Sequence, residues 1–131
     1  MHTAPRALVV DDSPELRLLI GSLFRHMGLE VLTARDAESG LAMAREQPPD
    51  IICLDLMLPV ASGLDACRAL KSDPTTAGIP VMMVSARRSP QDRAAADQVG
   101  AEAYVTKPID RNEFSNRVRS LLWQHRAVVE A

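Results

Sequence analysis

Short apolar runs alternate with helix-patterned segments from end to end of the chain, and no other feature constrains the fold as strongly. Ala7 to Val10 reads as a short buried strand. Ser13-Pro14-Glu15 then opens a helix, with Ser13 as N-cap and Pro14 at the first helical position, where its missing N–H is not needed. Leu16, Leu19, Ile20, Leu23, Phe24 and Met27 recur at a spacing that puts them on one helix face, and Gly28 ends the helix. Leu29 to Thr33 is a second strand; Asp36 caps a second helix through Leu41 and Met43, which Pro48-Pro49 terminates. The apolar run Ile51-Ile52-Cys53-Leu54 is the third strand. Ser62-Gly63 leads into a helix through Leu64, Cys67 and Leu70, followed by a polar loop from Lys71 to Gly78. Val81 to Val84 is the fourth strand, and Ser89-Pro90 repeats the cap-then-proline pattern for a helix ending near Gly100. Ala103 to Thr106 is the fifth strand. Asp110 and Glu113 form a capping box for a last helix with Phe114, Val118, Leu121 and Leu122 on one face.

Strands separated by helices cannot pair through tight hairpins, so each must cross over and lie parallel to its neighbour. The result is a parallel sheet covered by helices on both faces. The expectation is one doubly wound α/β domain over residues 1–131, with five parallel strands, five helices and a core spanning about 5–125.

Length and charge narrow the function classes. A chain of 131 residues with 47% hydrophobic content supports one proper core. Its 15 Lys and Arg are scattered among 17 acids for a net charge of -2, which disfavours direct nucleic-acid binding. No apolar run approaches the roughly 20 residues that span a bilayer, and the stretch MHTAPRALVVDD is too short in apolar length for a secretory signal. Cys53 and Cys67 make no disulfide framework, and His2, His26 and His125 are too dispersed to form a site. A cytoplasmic location is the expectation.

Asp55 is the residue that breaks the pattern, a carboxylate delivered by a continuous apolar strand. In an open parallel sheet the functional crevice lies beyond the carboxyl ends of the strands. The first strand ends in Asp11-Asp12, the third in Asp55, the fourth in Ser85 and the fifth in Thr106-Lys107-Pro108. Three carboxylates, a hydroxyl and an ammonium therefore converge on one rim. Lys107 offsets only one of the three negative charges, so a divalent cation is called for. Hard oxygen ligands select Mg²⁺ (or Mn²⁺) over zinc. Such a site suits phosphoryl transfer to Asp55, with Lys107, Ser85 and the cation meeting the phosphoryl oxygens.

The fragments VVDDSP, IICLDLMLP, VMMVSA and AYVTKP, in this order and spacing, resemble the receiver domain of two-component response regulators, and the likeness covers about residues 5 to 125. The resemblance implies a flavodoxin-like fold of strand order 2-1-3-4-5 and phosphorylation of Asp55 by a histidine kinase or phosphotransfer protein. It implies metal binding by Asp12, Asp55 and the main-chain carbonyl of Met57, with Asp11 acting through water. Ser85 and Lys107 would contact the phosphoryl group, and the Lys107–Pro108 bond would be cis. Tyr104 matches the aromatic switch position, and the resemblance further implies that the fourth helix, fifth strand and fifth helix would form an output face for a downstream effector protein or domain.

Departures from the family pattern are also legible. Ser85 stands where threonine is more frequent, Val60 where glycine is common, and Arg87 puts a bulky cation near the pocket mouth. Asp97 and Ala103 occupy positions where dimerising transcription factors tend to carry a leucine and an aspartate, so a monomer or weak dimer is expected. Three rival readings fit these residues less well. A haloacid-dehalogenase-type phosphohydrolase needs a second aspartate two residues after the nucleophile, and that position is Met57. A flavodoxin would place phosphate where Asp11-Asp12 repel it, and a degenerate receiver would lack part of the chemical set. The chain is therefore read as no enzyme beyond phosphorylation and dephosphorylation of its own aspartate.

Overall fold

The computed structural model describes the backbone of residues 4–130 and the side chains of residues 4–124, so His2 and the side chain of His125 lie outside the described residues. The elements run β1 (Arg6–Val10), α1 (Pro14–His26), β2 (Glu30–Ala34), α2 (Ala37–Glu46), β3 (Ile51–Asp55), α3 (Gly63–Ser72), β4 (Val81–Ser85), α4 (Pro90–Gln98), β5 (Ala103–Thr106) and α5 (Arg111–Glu130). All strand pairs are parallel, in the order β2-β1-β3-β4-β5. The expected flavodoxin-like sheet and five helices are present, and strand ends differ from the sequence reading by about one residue.

Two cores flank the sheet because successive strand side chains point to opposite faces. On one face Ala7, Val9, Ile51, Cys53, Met82 and Val84 meet Ile20, Leu23 and Phe24 of α1 and Phe114, Val118 and Leu121 of α5. The Phe24 and Phe114 rings make an edge-to-face contact, with centroids 5.1 Å apart. On the other face Leu8, Val10, Ile52, Leu54, Val81 and Met83 meet α2 and α3 through smaller residues such as Ala37, Ala44, Ala66 and Cys67. Small side chains let those helices approach closely: a β-carbon at Gly40 of α2 would sit 2.8 Å from the Val10 side chain.

One helix-face expectation is corrected. Leu19 is 44% exposed, not part of the α1 core stripe. It lies about 100° around the helix from Ile20, the centre of the buried arc, and the sheet does not reach that far. The two serines that precede a helix-opening proline cap as expected, with Ser13 Oγ accepting from the Leu16 amide (3.2 Å) and Ser89 Oγ from the Asp92 amide (3.1 Å), and Ser62 Oγ caps α3 by accepting from the Asp65 amide (3.2 Å). Asp36 caps α2 by accepting from the Ser39 amide at 2.8 Å. At α5 the Asp110 side chain accepts from the Glu113 amide (2.9 Å).

Candidate functional site

Register brings the rim residues to one level. Val10 pairs with Leu54 at the top of the β1–β3 ladder, so the next residues, Asp11 and Asp55, emerge side by side. β4 and β5 end with Ser85 opposite Thr106, one residue before Lys107. Oxygens of Asp11, Asp12 and Asp55 lie within 4.8 Å of one another. The Lys107 ammonium reaches Asp11 Oδ2 at 3.3 Å and Asp55 Oδ2 at 3.4 Å.

Asp55 is only 6% exposed although it ends its strand. Burial therefore raises its pKa above the ordinary carboxylate value; the Met57 amide, donating to Asp55 Oδ1 at 3.1 Å, and the Lys107 charge oppose the rise, while Asp11 adds to it. Asp12, by contrast, faces solvent. Three oxygen-donor carboxylates converging around one lysine fit a small hard cation, and no sulfur or imidazole competes in the cluster. The two thiols are no part of this chemistry, because burial raises the pKa of Cys53 and raises that of Cys67 to about 11.

The loop after Asp55 is shaped by two unusual positions. A β-carbon at Gly63 would lie 2.2 Å from the Asp55 carbonyl oxygen, so only glycine lets α3 begin this close to the end of β3. Val60 has φ 69° and bridges a three-residue turn in which the Ala61 amide donates to the Pro59 carbonyl at 2.8 Å. A β-branched residue in that left-handed region is strained. Met57, the residue whose carbonyl is expected at the metal, has its side chain 53% exposed on the same loop.

The opposite wall is the β4–α4 loop. Ser85 is buried, and its hydroxyl oxygen accepts from the Arg87 amide at 3.1 Å. Tyr104 is also buried and donates its hydroxyl to the Arg87 carbonyl at 2.9 Å, with the Arg93 guanidinium 5.0 Å from the ring centroid. Arg87 does reach the pocket mouth: its Nε donates to Met57 Sδ (3.0 Å) and its Nη1 lies 3.8 Å from Asp92. The Lys107–Pro108 bond is cis.

Asp11, Asp12, Asp55 and Lys107 thus share one cluster, with Ser85 at the end of β4 and Tyr104 within β5, two residues before its end. Sequence reasoning singled out neither Arg17, which donates to the Asp11 carbonyl at 2.7 Å, nor Arg88, which donates to the Lys107 carbonyl at 3.1 Å. It also passed over Arg93. Each is an ordinary polar arginine, two on helices and Arg88 in the β4–α4 loop, until the fold shows what it touches.

Residues 7–119 match the response regulator receiver domain family. The chain belongs to that family. The receiver is 42% identical over 115 residues to the probable transcriptional regulatory protein TcrX of Mycobacterium tuberculosis, a match covering 88% of this chain and 48% of TcrX. It therefore spans about half of that relative's length. Protein PilH of Pseudomonas aeruginosa is 36% identical over 118 residues, covering 89% of this chain and 97% of PilH. Among solved structures, the receiver resembles the chemotaxis protein CheY4 of Vibrio cholerae with a TM-score of 0.86 at 26% identity, over 91% of this chain and 99% of that one. Receiver domains of this family bind Mg²⁺ at a cluster of acidic residues and interact with histidine kinases and effector domains. Among the described residues, no helix is long and apolar enough to cross a membrane.

Proposed function

We propose that residues 1–131 act as one phosphoacceptor receiver, taking a phosphoryl group on Asp55 from a histidine kinase or phosphotransfer protein. The observation that carries this reading is the Lys107 ammonium set between Asp11 and a buried Asp55, with Asp12 open to solvent beside them. Asp12, Asp55 and the Met57 carbonyl would hold Mg²⁺ (or Mn²⁺), with Asp11 acting through water. Bound there, the cation supplies positive charge to the phosphoryl oxygens.

In the transfer, an Asp55 carboxylate oxygen forms a bond to phosphorus as the bond from phosphorus to the donor's imidazole nitrogen breaks. Lys107 leaves part of its ion pairing to meet a phosphoryl oxygen, and the Ser85 hydroxyl turns from the Arg87 amide to donate to another. Burial raises the Asp55 pKa, and the Lys107 charge opposes that rise, favouring the ionised carboxylate that acts as the nucleophile. Met57 offers no acid where a phosphohydrolase would need one, so the receiver turns over only its own aspartate.

Output would leave through α4, β5 and α5. Ser85, Arg87 and Tyr104 are joined by hydrogen bonds, so moving the Ser85 hydroxyl moves what Tyr104 and α4 rest on. The receiver would act in the cytoplasm as a monomer or weak dimer, binding a separate effector protein or domain and no nucleic acid or membrane itself. Incubation with acetyl phosphate and Mg²⁺ should label the wild type on a single residue and leave Asp55→Asn unlabelled. Equal labelling of both proteins, or labelling undiminished by a metal chelator, refutes the assignment.

A further inference from the structure

The two acids that end β1 sit on a very short junction, and what holds that junction is visible atom by atom. The Asp11 amide continues the strand by donating to the Ala34 carbonyl at 3.0 Å. Its Oδ1 accepts from the Ser13 amide (2.9 Å) and its Oδ2 faces Lys107 (3.3 Å). The Asp11 carbonyl lies beyond the last paired residue of β1, Val10, and so has no sheet partner. Arg17, one turn into α1, takes it: its Nη1 donates to that carbonyl at 2.7 Å, while its own amide donates to the Ser13 carbonyl at 3.0 Å. The Asp11–Asp12 peptide is therefore clamped between the strand and the first turn of α1. Asp11 is held at all four of its polar atoms, and Asp12 projects from the clamped peptide into solvent.

We propose that Arg17 is a positioning residue for the acid cluster, fixing the Asp11–Asp12 peptide so that the Asp12 carboxylate stays aimed at Asp55. The inference rests on the reading that this cluster holds Mg²⁺. It makes a prediction of opposite sign to simple electrostatics. Arg17 is a permanent cation held at the Asp11 carbonyl, beside the acid cluster, and judged by charge alone it repels a divalent ion, so its removal would tighten Mg²⁺ binding. As a positioning residue its removal loosens binding, because a ligand that must be ordered on each binding event binds more weakly.

The experiment measures Mg²⁺ affinity by calorimetry, and amide hydrogen exchange by NMR in the metal-free protein, for the wild type, Arg17→Met and Arg17→Lys. Methionine keeps the packed stem without the donor; lysine keeps the charge without the planar fork. The expected result is Mg²⁺ binding on the order of tenfold weaker in Arg17→Met, with Arg17→Lys in between. The Ser13 amide should exchange faster in Arg17→Met while core amides such as those of Leu8 and Leu54 stay protected. Binding as tight as wild type or tighter in Arg17→Met, or an unchanged Ser13 exchange rate, overturns the proposal. A wild type that binds no Mg²⁺ would defeat the metal reading, and the exchange rate alone would then decide whether Arg17 fixes the junction. General loss of core protection would show Arg17 to be merely structural, which also overturns the proposal.

Discussion

Helices α1 and α4 open with the same local code, a serine N-cap followed by proline and an acid in the first turn. They are moored in opposite ways. α1 buries Ile20, Leu23 and Phe24 in the core, whereas Ala96 is the buried residue of α4. The α4 segment PQDRAAADQ has enough alanine to favour a helix but very little apolar area to hold it against the sheet. Polar ties do that work instead: Arg93 over the Tyr104 ring, Arg87 beside Asp92, and the Tyr104 hydroxyl on the Arg87 carbonyl. Local chemistry decides that both helices exist; the size of the side chains facing the sheet decides how firmly each is held. An element held by a few polar contacts is the natural one to move when a neighbouring hydrogen bond is redirected.

The largest expected effect lies on the firmly packed side. Phe114→Ala removes the ring that meets Phe24 and should lower stability by about 3–5 kcal/mol in urea melts. A loss below about 1 kcal/mol would show that the α1–α5 face is not the main anchor.

Asp55→Asn should come next, in the stabilising direction. The folded state raises the Asp55 pKa, so the native protein holds that proton more tightly than the unfolded chain. Wild-type stability should then fall as pH rises from the ordinary carboxylate value through the raised one, by linkage. Asparagine has no such term. In chelator-treated samples the variant should melt several degrees higher at pH 7, and the gain should shrink in acid below the ordinary carboxylate range. A gain independent of pH would locate its cause outside Asp55 ionisation.

Two smaller effects test α4 itself. Ser89→Ala deletes the acceptor for the Asp92 amide and should cost about 1 kcal/mol. Its signature is faster hydrogen exchange within α4, with β3 and α1 amides unchanged. Arg93→Ala should cost about 0.5–1 kcal/mol or less and leave the global melt nearly untouched. Its readout is nitration of Tyr104, the chain's one tyrosine, which should speed up once the guanidinium no longer covers the ring. If both variants lower protection throughout the molecule equally, α4 is as firmly integrated as α1 and the contrast fails.

Much of this was legible in the residues because the relevant physics is local. Proline after serine, helix-capping side chains and apolar runs of strand length marked the five strands to within about a residue and the first turn of each helix, since caps, backbone freedom and side-chain period act over only a few positions; the end of α5, at Glu130, carried no such mark. Strand ends also named the site: Asp11, Asp12, Asp55, Ser85 and Lys107 are each the residue that a parallel strand presents to the rim. Leu19 escaped that logic because helical spacing says which residues share a side, and only the sheet's width says how much of that side is covered. The burial of Asp55 and the strain at Val60 depend on how closely α3 is drawn over β3. The three arginines at Asp11, Lys107 and Tyr104 belong to the same class. A long, flexible cation can reach many partners, and which carbonyl or ring it finds is settled by the positions of elements distant in sequence. Short-range periodicity and strand-end chemistry determined what this protein is built from and where its acids gather; the packing of whole helices decided how those acids are held.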